Sequence, residues 1–322
     1  MKPIRTEKDL DTMRRTVAAY SALCAWAGKG LFATLSDRQP RNATELGVHP
    51  RSLEITGMAL QHLGIVNRAG DRWSLSATGA TLYAEGALNA SSSEVFFGPY
   101  TQMDRIMQTG MADQTTEGGV VEDDEERARG FMDMLYRRSA ISVVEMSRAL
   151  SPFLHTQEHW LDVGGGHGRY GEALREQAGV AVTLFDRSVC VKIARERYGD
   201  TQSYIAGDFM TDSLGGPYDG ALLSNIVHGL GYEENRALFQ RLSDAIRPGG
   251  RMVLKDMFFG DVGSQPEEAA MFGMTMLMFT REGRSYSLRE MSQLCQETGF
   301  GTLQVLALPD CGFTLLVAER LA

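Results

Sequence analysis

The stretch Leu161-Asp162-Val163-Gly164-Gly165-Gly166-His167-Gly168 decides how this chain is read. His159 to Val163 reads as a strand that runs into a bend of small residues, and Arg169 to Gln177 then carries helical spacing. Glycines at such a junction let the backbone turn sharply and let a ligand approach amide groups that Cβ atoms would screen. A dinucleotide fingerprint, G-x-G-x-x-G, does not start at the first glycine after the strand. Counted from Gly164, Arg169 stands where the last Gly belongs; the spacing is met only from Gly166, two residues later, by Gly166, Gly168 and Gly171. The spacing is D-x-G-x-G-x-G, which suits a ligand without a pyrophosphate lying across the loop.

Downstream, strands and helices alternate. Val180 to Phe185, Ser203 to Ala206, Tyr218 to Leu223 and Met252 to Lys255 read as strands, separated by helices over Val189 to Tyr198 and Glu233 to Ile246. A helix over Leu288 to Thr298 precedes two closing strands around Leu303 to Leu306 and Phe313 to Val317. This order predicts an α/β fold with a parallel sheet covered by helices on both faces, its ligand beyond the carboxyl ends of the strands. Asp186, twenty residues past Gly166, closes the second strand, where a carboxylate accepts both hydroxyls of a ribose. Asp208 closes the third and is placed to accept from an exocyclic amine, with Phe209 against the aromatic face. In this order and phase the three features point to an adenosine-bearing cofactor. Arg247-Pro248-Gly249-Gly250 reads as a tight turn before the Met252 strand.

Upstream the texture differs. From Leu10 to Leu35 apolar residues recur at helical spacing on an Ala-rich background, giving an apolar surface suited to packing on another chain. Asn42 to Gly47 reads as a short capped helix and Arg51 to Leu63 as a second, with Leu53, Met58, Leu60 and Leu63 inward. Ile65 to Arg68 and Trp73 to Leu75 form a hairpin about Ala69-Gly70-Asp71. Helix, turn, helix and hairpin make a winged-helix arrangement. Its second helix exposes Arg51, Glu54, Gln61 and His62, a poor set for reading DNA. Lys plus Arg number 32 against 41 Asp plus Glu, a net charge of −9, so neither a phosphate backbone nor an anionic membrane is expected as partner. Ser91 to Leu150 reads as helical pieces around a polar loop, Thr115 to Glu126, whose acids from Glu122 to Glu126 face solvent; Phe131 to Leu150 reads as one long amphipathic helix. The charged start MKPIRTEKDLDTMRR has no apolar core, and Ala269 to Phe279 is too short to span a bilayer, so a soluble cytoplasmic protein is expected. Cys24, Cys190, Cys295 and Cys311 stand apart without metal-ligand spacing, so no disulfide framework and no metal are expected.

The chain resembles the class I S-adenosylmethionine-dependent methyltransferases, in particular the two-domain small-molecule O-methyltransferases with an N-terminal winged-helix dimerisation domain. The resemblance runs through the winged helix from Ala43 to Thr78, LDVGGGHG at 161–168, FD at 185–186, GDF at 207–209, NIVH at 225–228 and IRPGG at 246–250. It implies a Rossmann-like, mostly parallel seven-stranded sheet in residues 101–322, behind an α-helical winged-helix domain in residues 1–100 that forms a homodimer. It further implies S-adenosyl-L-methionine as cofactor, held by Gly164, Gly166, Asp186, Arg187, Asp208, Phe209 and Ser224, and a small aromatic or polyketide-like acceptor. His228 matches the family's general base, and Asp256 the acid that orients it.

The pattern departs from the family at three points. Gly229 stands where an Asp usually follows the His, Ser224 where a Lys is common, and Ser285 where a second acid is expected. Methylation at carbon or nitrogen, where a base is dispensable, therefore stands beside O-methylation. A regulator that binds the cofactor without transferring methyl groups is a further alternative, disfavoured by the weak basic face. The Met-rich segment Met271 to Phe279 falls where the family lines its acceptor pocket; Met274 and Met278, with Met132, Leu135 and Tyr136, are the expected lining. His167, inside the glycine loop, is expected to cover the cofactor's edge; His49, His62, His155 and His159 carry no such context.

Overall fold

A computed structural model describes residues 4–88, 102–110, 125–260 and 266–322. The expected polar loop, for its part at 115–124, lies outside them, as does 91–101 of the expected helical pieces. Contacts divide the chain into two units, Met1–Asp104 and Arg105–Ala322; the sequence expectation had drawn the boundary after residue 100.

In the first unit α1 (Glu7–Gly28) is started by a capping box between Thr6 and Asp9, and α2 (Leu31–Thr34) follows. The helix α3 (Pro50–His62) and the hairpin of β1 (Val66–Ala69) and β2 (Arg72–Leu75) lead to α4 (Ala77–Ala84), capped by Ser76. Trp26, Phe32, Leu53, Leu60 and Trp73 make the core, and the Trp26 indole donates to Thr56 Oγ1 at 2.7 Å. Two expectations need correction. Asn42–Gly47 is a turn rather than a helix: Asn42 and Glu45 do exchange their capping hydrogen bonds, but His49 is held extended by the following Pro50 and the chain must reverse before it. Met58 and Leu63 face outward, 53% and 49% exposed, because the α3 stripe that meets the core is Leu53–Gly57–Leu60. Gly57 is needed there, since a Cβ would sit 2.8 Å from the Trp73 ring.

The short helix α5 (Met103–Thr109) crosses the boundary, and the second unit continues with α6 (Glu125–Arg138) and α7 (Ala140–Leu150). The single helix expected over Phe131 to Leu150 is thus two. They part at Ser139, whose hydroxyl bonds back to the Tyr136 carbonyl at 2.8 Å and competes with the helical ladder. Then come β3 (His159–Val163), α8 (Arg169–Ala178), β4 (Ala181–Asp186), α9 (Ser188–Tyr198), β5 (Ser203–Ala206), β6 (Tyr218–Ser224), α10 (Tyr232–Ala245) and β7 (Ile246–Asp256). The chain closes with α11 (Glu267–Phe279), α12 (Leu288–Glu297), β8 (Gln304–Leu308) and β9 (Phe313–Glu319).

The sheet has seven strands in the order β5-β4-β3-β6-β7-β9-β8, parallel through β7 and antiparallel at β9 and β8. The expected turn at 247–250 is instead an irregularity inside β7: pairing with β6 jumps from Tyr218↔Ile246 to Gly220↔Arg251. Side chains alternate between faces. Leu161, Leu223 and Leu254 pack with α10 and α12, whereas Trp160, Leu222 and Val253 pack with α7 and α8. Burial on both faces explains why these strands read as nearly continuous apolar runs. No helix among the described residues is long and apolar enough to cross a membrane.

Candidate active site

The site is built where β3, β4, β6 and β7 end. After β3 the backbone turns through Gly164 (φ +64°) and Gly166 (φ +52°), conformations that L side chains rarely adopt. A side chain at Gly164 would collide with Ile226 Cδ1, and one at Gly166 would bring Cβ to 3.2 Å from Met132 Sδ. Asp162 lies beneath the bend, accepting from the Gly171 N–H at 3.2 Å while its Oδ1 has no partner. Burial, with Asp186 adding to it, pushes the Asp162 carboxyl up to about 7.

Asp186 turns toward the bend. Its Oδ2 accepts from the Gly166 N–H and its Oδ1 from the Arg187 N–H, both at 2.7 Å. Burial raises its pKa in spite of these donors. Asp208 is exposed beyond β5, and its carboxylate caps its own turn by accepting from the Met210 N–H at 2.8 Å. Phe209 reaches inward, its ring 3.7 Å from where a Gly164 Cβ would stand, and its carbonyl is held by Arg241 Nε at 3.0 Å. Ser224 Oγ is buried beside the Tyr170 hydroxyl, which is already engaged at 2.7 Å with Ser142, and makes no hydrogen bond. A bare, left-handed backbone, a buried carboxylate bonded to it and a ring alongside fit a nucleoside better than a phosphate.

One strand over from the bend, His228 sits in a 3-10 turn, Val227–Gly229, after β6. Its Nδ1 lies 2.8 Å from both carboxylate oxygens of Asp256, the last residue of β7. Asp256 is 1% exposed and the His228 side chain 15%, so the carboxylate is shut in while the imidazole keeps an open edge. The turn is tied from several sides. Asn235 Nδ2 donates to the Val227 carbonyl at 2.9 Å, the Tyr286 hydroxyl donates to the Leu230 carbonyl at 2.6 Å, and Gly283 has no room for a side chain against the His228 carbonyl. Gly229 faces open space, and Ser285 donates to the Ala269 carbonyl of α11 at 2.6 Å, so neither substitutes for the acids the family pattern places there.

The expected pocket residues fall into two groups. Met132 and Leu135, on α6, pack against Cys190 and Ile193 of α9, and Met132 also covers Gly166. Tyr136 is held between two guanidiniums, Arg169 and Arg197, at 4.6 and 4.3 Å from its ring centroid, with the His167 ring edge-on at 5.7 Å. His167 is buried there and stays neutral, its pKa pushed down to about 4 by burial and then by Arg197 and Arg169. On α11, Met278 is fully buried and Met274 half-buried. The helix residue that meets the imidazole is Phe272, edge-on at 4.7 Å. Sequence reasoning had flagged its segment without singling it out. It had also passed over Lys255, fully buried with Nζ 3.1 Å from Asn225 Oδ1; a lysine directly after the apolar run Met252-Val253-Leu254 was the available signal.

Comparison with known proteins agrees with this architecture. Across 90% of this chain and 88% of the relative, the sequence is 26% identical to the 3-hydroxy-5-methyl-1-naphthoate 3-O-methyltransferase of Streptomyces sahachiroi. Across 96% of both, it is 25% identical to the tetracenomycin polyketide synthesis 8-O-methyl transferase TcmO of Streptomyces glaucescens. The crystal structure of human N-acetylserotonin methyltransferase in complex with SAM superposes with a TM-score of 0.77, covering all of both chains at 16% identity. The family model of the O-methyltransferase domain matches residues 110–301. With the glycine bend, its carboxylate and the His228–Asp256 pair all inside that span, the chain belongs to the O-methyltransferase family.

Proposed function

We propose that this protein transfers the methyl group of S-adenosyl-L-methionine to a hydroxyl of an aromatic, polyketide-like small molecule, with His228 as general base. The observation that carries the reading is the contact of His228 Nδ1 with Asp256 at 2.8 Å, on the edge of the sheet that also bears the glycine bend. The bend at Gly164 and Gly166, the Asp186 carboxylate and the Phe209 ring would hold the nucleoside, with Arg187, Asp208 and Ser224 at its margins. When bound, the cofactor supplies a methyl group on a positively charged sulfur, whose leaving group is a neutral thioether.

The protein's own task is then positioning and proton removal. With Nδ1 donating to Asp256, the tautomer leaves Nε2 as acceptor. Nε2 would take the acceptor's hydroxyl proton while that oxygen gains the methyl group the bound cofactor would supply. Asp256 holds the imidazole in orientation and stabilises the imidazolium that results. Phe272 against the ring, with Met274 of the same helix backed by the buried Met278, and Met132, Leu135 and Tyr136 beyond the bend, would provide an apolar wall for a flat acceptor. The two bacterial relatives, named for a naphthoate and for tetracenomycin, support that substrate class. A homodimer through the first unit and a soluble, cytoplasmic setting belong to the same proposal.

The test is incubation with S-adenosylmethionine carrying a labelled methyl group and a panel of hydroxylated naphthoates and polycyclic phenols, read by mass spectrometry. Label on an acceptor oxygen is expected. Label on carbon or nitrogen alone, or none together with failure to bind S-adenosylhomocysteine by calorimetry, would overturn the reading.

A further inference from the structure

The last two residues of β7 point to opposite faces of the sheet. Asp256 grips His228 on one face. On the other, Lys255 is completely buried among apolar residues, with Nζ 3.4 Å from the Phe313 ring centroid and 5.0 Å from that of Tyr170. A Leu or Met would fill this place without removing an ammonium from water, so the cation requires a reason. Burial brings its pKa down only to about 8, so near neutrality it remains a donor.

The ammonium's hydrogen bond goes to Asn225 Oδ1, at 3.1 Å, while the Lys255 carbonyl accepts the Asn225 N–H at 2.8 Å. Asn225 is therefore held at both ends by one residue, and it is a non-glycine residue in the left-handed region, with φ +61°. That conformation decides where the chain goes next: Ile226 onto Gly164, Val227 into the core and His228 onto Asp256. We propose that Lys255 is a positioning residue, which by gripping Asn225 in its left-handed conformation sets the turn that delivers the His228 imidazole to Asp256. The proposal rests on the reading of His228 as base.

Lys255→Met keeps the side chain's bulk and its contact with the two rings, and Asn225→Gly keeps access to the left-handed region while deleting the accepting oxygen. Each is expected to lower kcat by about 10- to 100-fold, the scale of a misplaced catalytic group, with little change in KM for the methyl donor. The double variant should be no worse than the more affected single one, and neither change should lower the residual rate of His228→Ala further. Independently of rate, the His228 ring resonances in 15N-histidine NMR should shift in Lys255→Met. Wild-type kcat with unshifted resonances, or losses that multiply with that of His228→Ala, would overturn the proposal. If His228→Ala itself keeps wild-type activity, the base assignment fails, and the His228 resonances alone decide the role of Lys255. If Lys255→Met does not fold, Asn225→Gly decides: the same loss is expected, and an unchanged rate overturns.

Discussion

His228 Nδ1 and the Asp256 carboxylate meet at 2.8 Å across 28 residues of sequence, joining the turn after β6 to the end of β7. The pair is lopsided in its exposure to water, the acid enclosed and the ring partly open. That asymmetry leaves one ring nitrogen on the enclosed carboxylate and an open edge of the ring, as the proposed role of His228 as base requires.

Removing the ring should therefore be costly for the rate and mild for binding. His228→Ala is expected to lower kcat by about 10²- to 10⁴-fold, and Asp256→Asn, which favours the wrong tautomer, by up to about 10⁴-fold. Steady-state kinetics together with calorimetric titration of S-adenosylhomocysteine will check this. A fall in cofactor affinity that matches the fall in rate would place His228 in binding instead.

The glycine bend makes a second prediction. Gly164→Ala must adopt φ +64° and displace Ile226, so a stability loss above the roughly 1–2 kcal/mol of a left-handed L residue is expected, along with weakened binding of S-adenosylhomocysteine. Gly249→Ala is the control: its φ is also positive, +76°, but its Cβ would meet open space. Denaturant melts should show only the conformational cost there, and binding should be unaltered.

The buried Asp162 links stability to pH. Its carboxyl titrates at about 7 in the folded chain against an ordinary 3.8, so between these values the folded state holds a proton that the unfolded state has lost. The stability it contributes is full below pH 3.8 and is lost as pH rises to about 7. Asp162→Asn, which can still accept from the Gly171 N–H and carries no charge to bury, should be more stable than wild type at pH 8. The gap should narrow by up to about 1.4 kcal/mol per pH unit as the medium is acidified toward 4. His167 acts in the opposite sense, since its folded pKa of about 4 lies below the ordinary 6.5 and its contribution is lost on acidification. Urea melts at a series of pH values test this; a pH-independent gap would refute it.

A fourth prediction concerns association. Leu10, Val17 and Tyr20 lie along one side of α1 and are 37%, 51% and 41% exposed. If a second copy covers this stripe, Val17→Glu should raise the dimer dissociation constant by at least about tenfold, some 1.4 kcal/mol, in light-scattering dilution series. An unchanged mass across dilution would remove this face from the interface.

Much of the architecture was legible from residues alone. Strand lengths, helix spacing and turn chemistry are local properties, so the alternation from His159 to Val317 and the D-x-G-x-G-x-G bend could be read without coordinates. Where local signals failed, a competing interaction overrode periodicity. The Ser139 hydroxyl broke a helix that its apolar stripe continued, and Pro50 ended a turn that its capping residues had begun.

The sequence by itself determined the order of elements, the sheet class and the position of the bend, because each depends on neighbours within a few residues. Tertiary structure decided which side chains meet, and only the family resemblance had paired His228 with Asp256 beforehand. Asp256 reaches His228, Phe272 edges onto the same ring and Lys255 finds Asn225 because a helical crossover sets β7 beside β6 in register and α11 packs over the turn. Those encounters depend on burial and strand pairing over tens of residues, a balance of long-range packing that no local pattern encodes.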